Sequence, residues 1–200
     1  RGQGQGFGNG VGMAIASKMM SARFGEKLFG GNYVYAIAGD GCLMEGVSSE
    51  AASIAGYLKL GNLIYFYDDN TITIEGHTDI TFGEDVEKRF LAYGWHVVRA
   101  DAYDHDSIRK AITAGQNEKE KPTLIITKSV IGYGSPHKSN TSEVHGSPLG
   151  KDELIATKLN LGWPVDKEFY VPEEVAKLFA DRKSEMKKKY DEWNKEFDSW

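Results

Sequence analysis

Four short apolar runs, spaced by stretches of helical periodicity, restrict this chain more than any other property. They are YVYAIA at 33–38, NLIYFYDDN at 62–70, WHVVRA at 95–100 and PTLIITK at 122–128. NLIYFYDDN is apolar on both faces, the pattern of a parallel strand covered on two sides by helices. Helical segments are expected at 11–24, 48–60, 84–93 and 104–117, with Gly25 and Gly61 closing the first two. Strands alternating with helices predict an α/β fold: a doubly wound, mostly parallel sheet with helices on both faces and right-handed crossovers.

The alternation stops after residue 128. Residues 129–150 are rich in Gly, Ser, Pro, His and Asn and carry no periodicity. A loop this long in a compact domain is functional or disordered. A short helix is expected at 151–160 and a last one from Pro172, where Glu173 and Glu174 suit the positive end of its dipole. In that tail Phe179, Met186 and Trp193 recur every seven residues, as do Tyr190 and Phe197, a stripe for packing on the domain or on a neighbour. The expected organisation is a domain at 1–165, incomplete on its N-terminal side, and a helical tail at 166–200 that packs on it or leads onward. The start, Arg1-Gly2-Gln3-Gly4, has no initiator Met and reads as a cut, processed or truncated end.

Composition narrows the classes of partner. The formal charge of −5, from 24 basic and 29 acidic side chains, leaves no basic footprint for nucleic acid. No run approaches the roughly 18 apolar residues of a membrane span. The single cysteine, Cys42, precludes an internal disulfide and points to a reducing, cytoplasmic setting.

Glycine is in excess, with 23 in the chain and six at positions 2, 4, 6, 8, 10 and 12. The cluster fails both nucleotide-loop patterns. In GxxxxGK[ST], Gly31 stands where Lys is needed after Gly25 and Gly30; in GxGxxG, Asn9 or Met13 stands where the third Gly is needed. It reads as a close-packed turn and helix start. The candidate phosphate site lies at strand ends, where open parallel sheets bind ligands. Gly39-Asp40-Gly41 follows the first run and Asp68-Asp69-Asn70 ends the second, one strand–helix–strand unit apart. An Asp carboxylate and an Asn amide oxygen are hard donors suited to magnesium, and flanking glycines let backbone N–H groups approach a diphosphate. The competing reading is two ordinary turns, which G-D-G and D-N also favour.

These residues carry a resemblance. GDGCLMEGVSSEAASIAGYLKLGNLIYFYDDNTITIEG at 39–76 resembles the thiamine-diphosphate motif of the transketolase family. GQGFGNGVGMAIA at 4–16, FLAYGWHV at 90–97, IGYGS at 131–135 and VHGSPLG at 144–150 are similar to transketolase in the same order. The resemblance covers essentially the whole chain, but only the later part of the family's first, diphosphate-binding domain. It implies the thiamine-diphosphate-binding fold. It also implies transfer of a two-carbon ketol unit between ketose and aldose phosphates, as in the pentose phosphate pathway, by a homodimer or higher assembly.

By the same resemblance, Asp40 and Asn70 bind Mg2+ (or Ca2+) through side-chain oxygens and Ile72 through its carbonyl. Gly41 and Asn70 contact the diphosphate, and Ile74 and Ile131 give apolar contact around the cofactor. His145, the catalytic candidate, hydrogen-bonds diphosphate and substrate. Glu45 and Glu50 belong to a carboxylate network joining paired sites across a subunit interface. A pyrimidine-binding domain or subunit is required as partner, so the isolated chain is expected to be inactive. On residue type alone, His145 reads as an ordinary surface loop histidine, and only the resemblance reverses that; His77, His96, His105 and His137 keep the ordinary reading, and Glu45 and Glu50 read as solvated acids at a helix start. The family's Gly-Pro-Leu is replaced by Arg1, Gly2 and Gln3. Two alternatives stay open: another thiamine-diphosphate enzyme component, of 2-oxoacid dehydrogenase or deoxyxylulose-phosphate synthase type, and a non-catalytic binding or assembly module.

Overall fold

The computed structural model describes residues 3–200; Arg1 and Gly2 lie outside it. Helix α1 spans Gln3–Phe24, followed by a one-turn α2 at Glu26–Phe29. Strand β1 (Val34–Gly39) leads into the short α3 (Asp40–Leu43), then α4 (Gly46–Tyr57) and β2 (Leu63–Asp69). A small hairpin, β3 (Ile72–Thr73) and β4 (Gly76–His77), precedes α5 (Val86–Ala92), β5 (His96–Asp101), α6 (His105–Asn117) and β6 (Thr123–Lys128). Helix α7 (Lys151–Asn160) follows the long loop, and α8 (Glu173–Ser199) ends the chain.

The four main strands run parallel in the order β1-β2-β6-β5. Alternation along the strands divides the core. Leu63, Tyr65 and Tyr67 of β2, with Leu124 and Ile126 of β6, face α1, α4 and α5 around Phe7, Phe90 and Trp95. Ile64 and Phe66, with Ile125, Val98 and Ala100, face Ala111, Ile108 and Ile112 of α6. The central strands therefore have helices on both sides, as the doubly apolar NLIYFY run predicts. On β1 the second side is open: Tyr35 and Ile37 are exposed, Ile37 at 78 %.

The glycine-rich opening departs from expectation. It is helix from Gln3 onward rather than a turn. Each helical glycine costs about 1 kcal/mol relative to alanine, so burial must hold this segment. Its buried face recurs at helical spacing through Gly4, Phe7, Gly10, Val11 and Ala14. Phe7 stacks on Tyr65 with centroids 4.1 Å apart, and the Tyr65 hydroxyl donates to the Phe7 carbonyl at 2.7 Å. At Gly10 a Cβ would lie 2.9 Å from Tyr65 Cζ and closer still to the hydroxyl, so only glycine fits this approach. Helix α1 ends at Gly25 in the left-handed region (φ 98°), as read from the sequence. Helix α4 instead stops at Tyr57, and Gly61 is small because the Lys119 backbone passes over it.

At the end of α8, Trp200, just past the helix, packs edge-on against Phe24 and Phe29, the Trp193 indole reaches the Leu28 carbonyl at 3.4 Å, and Lys27 pairs with Glu196. Phe179 and Met186, earlier in the same stripe, are exposed.

Candidate functional site

The parallel register sets Gly39 of β1 beside Asp68 of β2, so both chains leave the sheet at one edge. Asp40 opens α3 directly beyond Gly39 and is 3 % exposed. One carboxylate oxygen accepts from the Tyr67 hydroxyl at 2.6 Å and the other from the Thr71 N–H at 3.2 Å. Burial, first, holds the Asp40 carboxyl above the usual carboxylate range; Tyr67 opposes this, Asp69 adds to it, and the Thr71 and Asn70 N–H groups oppose it. Burial and the Asp40 charge push the Tyr67 phenol far up, so it acts as a donor.

Asn70 follows β2. Its Oδ1 accepts from the Ile72 N–H at 3.0 Å, and its Nδ2 donates to Asp68 Oδ2 at 3.2 Å. Thr71 adopts a left-handed backbone (φ 61°), which turns the chain from β2 into the β3–β4 hairpin. The Thr78 N–H closes that excursion on the Thr71 carbonyl at 3.0 Å.

Two adjoining clefts share Gly39, Asn70 and His145. One, of about 500 Å³, is lined also by Ile37, Cys42, Asp68 and Ile131. The other, of about 340 Å³, is lined by Asp40, Gly41, Glu45, Ile72 and Ile74. The residues expected to hold metal and cofactor thus surround one continuous depression. Glu45 stands at its edge as the residue before α4, against Gly4. Glu50 lies on the exposed side of α4, outside both clefts. Cys42 is buried and takes the Gly39 N–H on its sulfur at 3.2 Å; burial pushes its thiol up, which keeps it protonated rather than nucleophilic.

Residues 129–150 form an ordered loop with one short helical turn at Ser142–Val144, and His145 ends that turn, exposed. The loop is held from outside. Glu153 of α7 accepts from the Ser135 hydroxyl, from the His137 N–H at 2.9 Å and faces His137 Nδ1 at 2.8 Å. The Ser135 hydroxyl and the His137 donors draw the Glu153 carboxyl down to about 2. His137 is therefore part of the loop's anchor; His96 meets Thr123 within the sheet, and His77 and His105 are exposed. Stacking of Tyr103 on Tyr133, 4.2 Å between centroids, adds a second contact near the loop's start.

Tyr67, Thr71, Ser129 and Glu153 are neighbours of the clefts or their loop that the sequence reading does not single out, and Asp68 it names only as part of the Asp68-Asp69-Asn70 cluster. Period-two alternation carries a usable signal for Tyr67, which shares a face with Tyr65 and so points toward the element after β1. Nothing local marks Glu153, which reaches back 18 residues to Ser135.

The donor set fits a divalent cation. Asp40 is a buried carboxylate that makes no ion pair among the described residues and feels the charge of another anion, Asp69, and an anion so placed calls for a cation. Its oxygens and Asn70 Oδ1 keep lone pairs beyond the bonds described, and Ile72 lines the same cleft. Among the described residues no three His, Cys, Asp or Glu side chains gather as an independent metal cluster. A cation here relies on mixed oxygen donors with ligand oxygens completing the shell, the habit of magnesium.

The family model described as "Transketolase, thiamine diphosphate binding domain" matches residues 2–200. The transketolase of Nostoc sp. is 50 % identical over 199 residues, covering 97 % of this chain and 29 % of that protein. Chloroplastic transketolase of Spinacia oleracea is 48 % identical over 198 residues, covering 97 % and 27 %. A solved transketolase of Pichia stipitis with fructose 6-phosphate superposes with a TM-score of 0.91 at 43 % identity, over 96 % of this chain and 29 % of that one. Transketolase from Leishmania mexicana gives 0.91 at 36 % identity, with the same coverages. The chain thus spans somewhat over a quarter of the length of the curated relatives it matches. With the family model matching nearly the whole sequence and the fold superposing throughout, the chain belongs to the thiamine-diphosphate-binding-domain family of transketolases.

Proposed function

We propose that this chain supplies the magnesium–diphosphate half of a transketolase active site, which transfers a two-carbon ketol unit from a ketose phosphate to an aldose phosphate. The observation that carries the reading is Asp40: a buried carboxylate that makes no ion pair among the described residues, at the junction of two strand ends, beside Asn70 and Ile72. Asp40, Asn70 and the Ile72 carbonyl hold the metal. Gly41 has no side chain to keep a diphosphate from the backbone. Ile74 and Ile131 are apolar walls for the cofactor, and His145, on the rim of both clefts, donates to the diphosphate and holds a proton near the substrate oxygen. When bound, thiamine diphosphate supplies the electron sink for breaking a carbon–carbon bond beside a carbonyl; the protein positions and polarises.

The reading includes a partner and a setting. The cofactor's pyrimidine end is held by another domain or subunit, so this chain alone turns over no sugar phosphate. Residues 1–165 act as the diphosphate-binding domain and 166–200 as a tail. A dimer or higher assembly meets at the surface of Glu45–Ile54, where Val47 and Ile54 are exposed apolar side chains and Glu50 faces outward. A cytoplasmic enzyme of pentose phosphate metabolism accords with the charge and the lone, buried Cys42.

Isothermal titration of the full enzyme with thiamine diphosphate tests the reading. Binding is expected to require Mg2+ and to be lost in Asp40→Ala and in Asn70→Ala. Undiminished, magnesium-dependent binding by Asp40→Ala refutes it.

A further inference from the structure

The larger cleft contains a side chain that a diphosphate site does not call for. Asp68, next to last in β2, lines it with Gly39, Asn70 and His145. A carboxylate there repels a diphosphate and lowers its affinity unless it does something else. Both of its oxygens are engaged. Oδ2 accepts from Asn70 Nδ2 at 3.2 Å, and Oδ1 accepts from the Ser129 hydroxyl.

The first bond has a directional consequence. An ionised carboxylate only accepts hydrogen bonds, whereas the two ends of an asparagine amide differ: the nitrogen donates and the oxygen accepts. Facing Asp68, the Asn70 amide must present its nitrogen. Its oxygen is thereby turned to the Ile72 side, where it accepts from the Ile72 N–H at 3.0 Å and keeps a second lone pair. A neutral, two-ended side chain at position 68 removes that constraint, and the amide is free to turn its NH2 group toward the metal, which repels it. The second bond ties the same carboxylate to Ser129, whose N–H also reaches the Asp69 carbonyl at 3.1 Å. Ser129 starts the loop that carries Ile131 and His145.

We infer that Asp68 is a positioning residue: it orients the Asn70 amide oxygen toward the metal and fastens the start of the Ile131–His145 loop to the same point. The inference rests on the proposal that Asn70 ligates the metal. Groups that orient metal ligands from behind change metal affinity by roughly 10–100-fold when replaced, and that range is the expectation here.

The test uses the full-length enzyme, with Mg2+ and thiamine diphosphate titrated calorimetrically and the melting temperature measured without either. Asp68→Asn is expected to weaken Mg2+ binding by roughly 10–100-fold, with the cofactor-free melting temperature little changed. The exchanged pair Asp68→Asn with Asn70→Asp restores an amide nitrogen facing a carboxylate and returns an oxygen to the metal side. It is expected to recover most of the lost affinity. Simple charge repulsion predicts the opposite for Asp68→Asn, a tighter diphosphate complex, and that result or unchanged Mg2+ affinity overturns the inference. Should Asp68→Asn fail to fold, the exchanged pair decides alone: near-native Mg2+ affinity supports the orientation, and weak binding by a folded exchanged pair overturns it. Asp40→Ala separates the two levels. If it binds Mg2+ normally, the metal-site reading itself fails; if it abolishes binding while Asp68→Asn leaves Mg2+ affinity unchanged, only the positioning role fails.

Discussion

Gly10→Ala tests whether the glycine row of α1 serves close packing. In an exposed helical position this change stabilises by about 1 kcal/mol, because alanine has the better helix propensity. At Gly10 the new methyl carbon meets Tyr65 Cζ at 2.9 Å and presses on the hydroxyl that bonds the Phe7 carbonyl. Crowding a packed interior costs about 1–3 kcal/mol. Displacing the hydroxyl from its buried acceptor costs about 1–3 kcal/mol more. The net expectation is a destabilisation of roughly 1–5 kcal/mol. Gly12→Ala, where the added carbon meets nothing within 4 Å, serves as the control and is expected to stabilise. Urea unfolding reads both as shifts of the midpoint at constant slope. The same change made in a Tyr65→Phe background lacks the clashing oxygen and is expected to cost less, which isolates the contact. A midpoint rise for Gly10→Ala equal to that for Gly12→Ala refutes the packing argument.

Two further expectations concern the loop and the assembly. Glu153 has a folded-state value lowered to about 2 from an ordinary 4.5, so its support of the loop is fully present above about pH 4.5 and is lost as pH falls through about 2; protection of the amides at 132–141, relative to their intrinsic exchange at each pH, is expected to fall in that window in the native chain and to be low at all pH values in Glu153→Ala, and an unchanged protection profile in that variant counts against the anchor. Ile54→Asp places a charge on the exposed apolar side of α4 and is expected to shift the full enzyme toward smaller species in analytical ultracentrifugation without lowering the melting temperature of this chain; unaltered assembly discounts that surface.

Legibility followed the range of the interaction that decides each feature. The strands were readable because burial on two faces is written into consecutive residues such as Leu63–Tyr67, and their helices because periodicity and end signals such as Gly25 are local. The glycine row misleads for a physical reason: propensity speaks against helix there, and the decisive terms are the Phe7–Tyr65 stack and the close approach at Gly10, contacts with a strand some sixty residues away. The hairpin at Ile72–His77 was unreadable because two-residue strands carry no period. Within the site, Asp40 and Asn70 stand at strand ends with the residue types a metal needs. Tyr67, Asp68 and Glu153 act through partners on other elements, and their partners are revealed by the fold, with alternation along β2 giving only the face on which Tyr67 lies.

The exposure pattern across the clefts argues for a site built from one side. Around Asp40 the lining is closed: Asp40 and Ile72 are buried, and the Tyr67 hydroxyl and the Thr71 and Ile72 N–H groups hold the oxygens of Asp40 and Asn70. Toward the other end the lining opens: Ile74 is 69 % exposed, and Ile37, Gly41 and His145 face solvent. An apolar side chain such as Ile74 gains nothing from standing in water, and a cofactor held only at its diphosphate would leave its rings beside it equally wet. Water must be excluded for the fixed charges of the site to act at full strength. This chain buries the polar donors of the cleft closely and leaves its apolar wall exposed. If the proposed function holds, a second polypeptide surface over Ile74 and His145 closes that wall, and magnesium-dependent binding and ketol transfer are expected to separate, the first resting on these residues and the second on the covering surface.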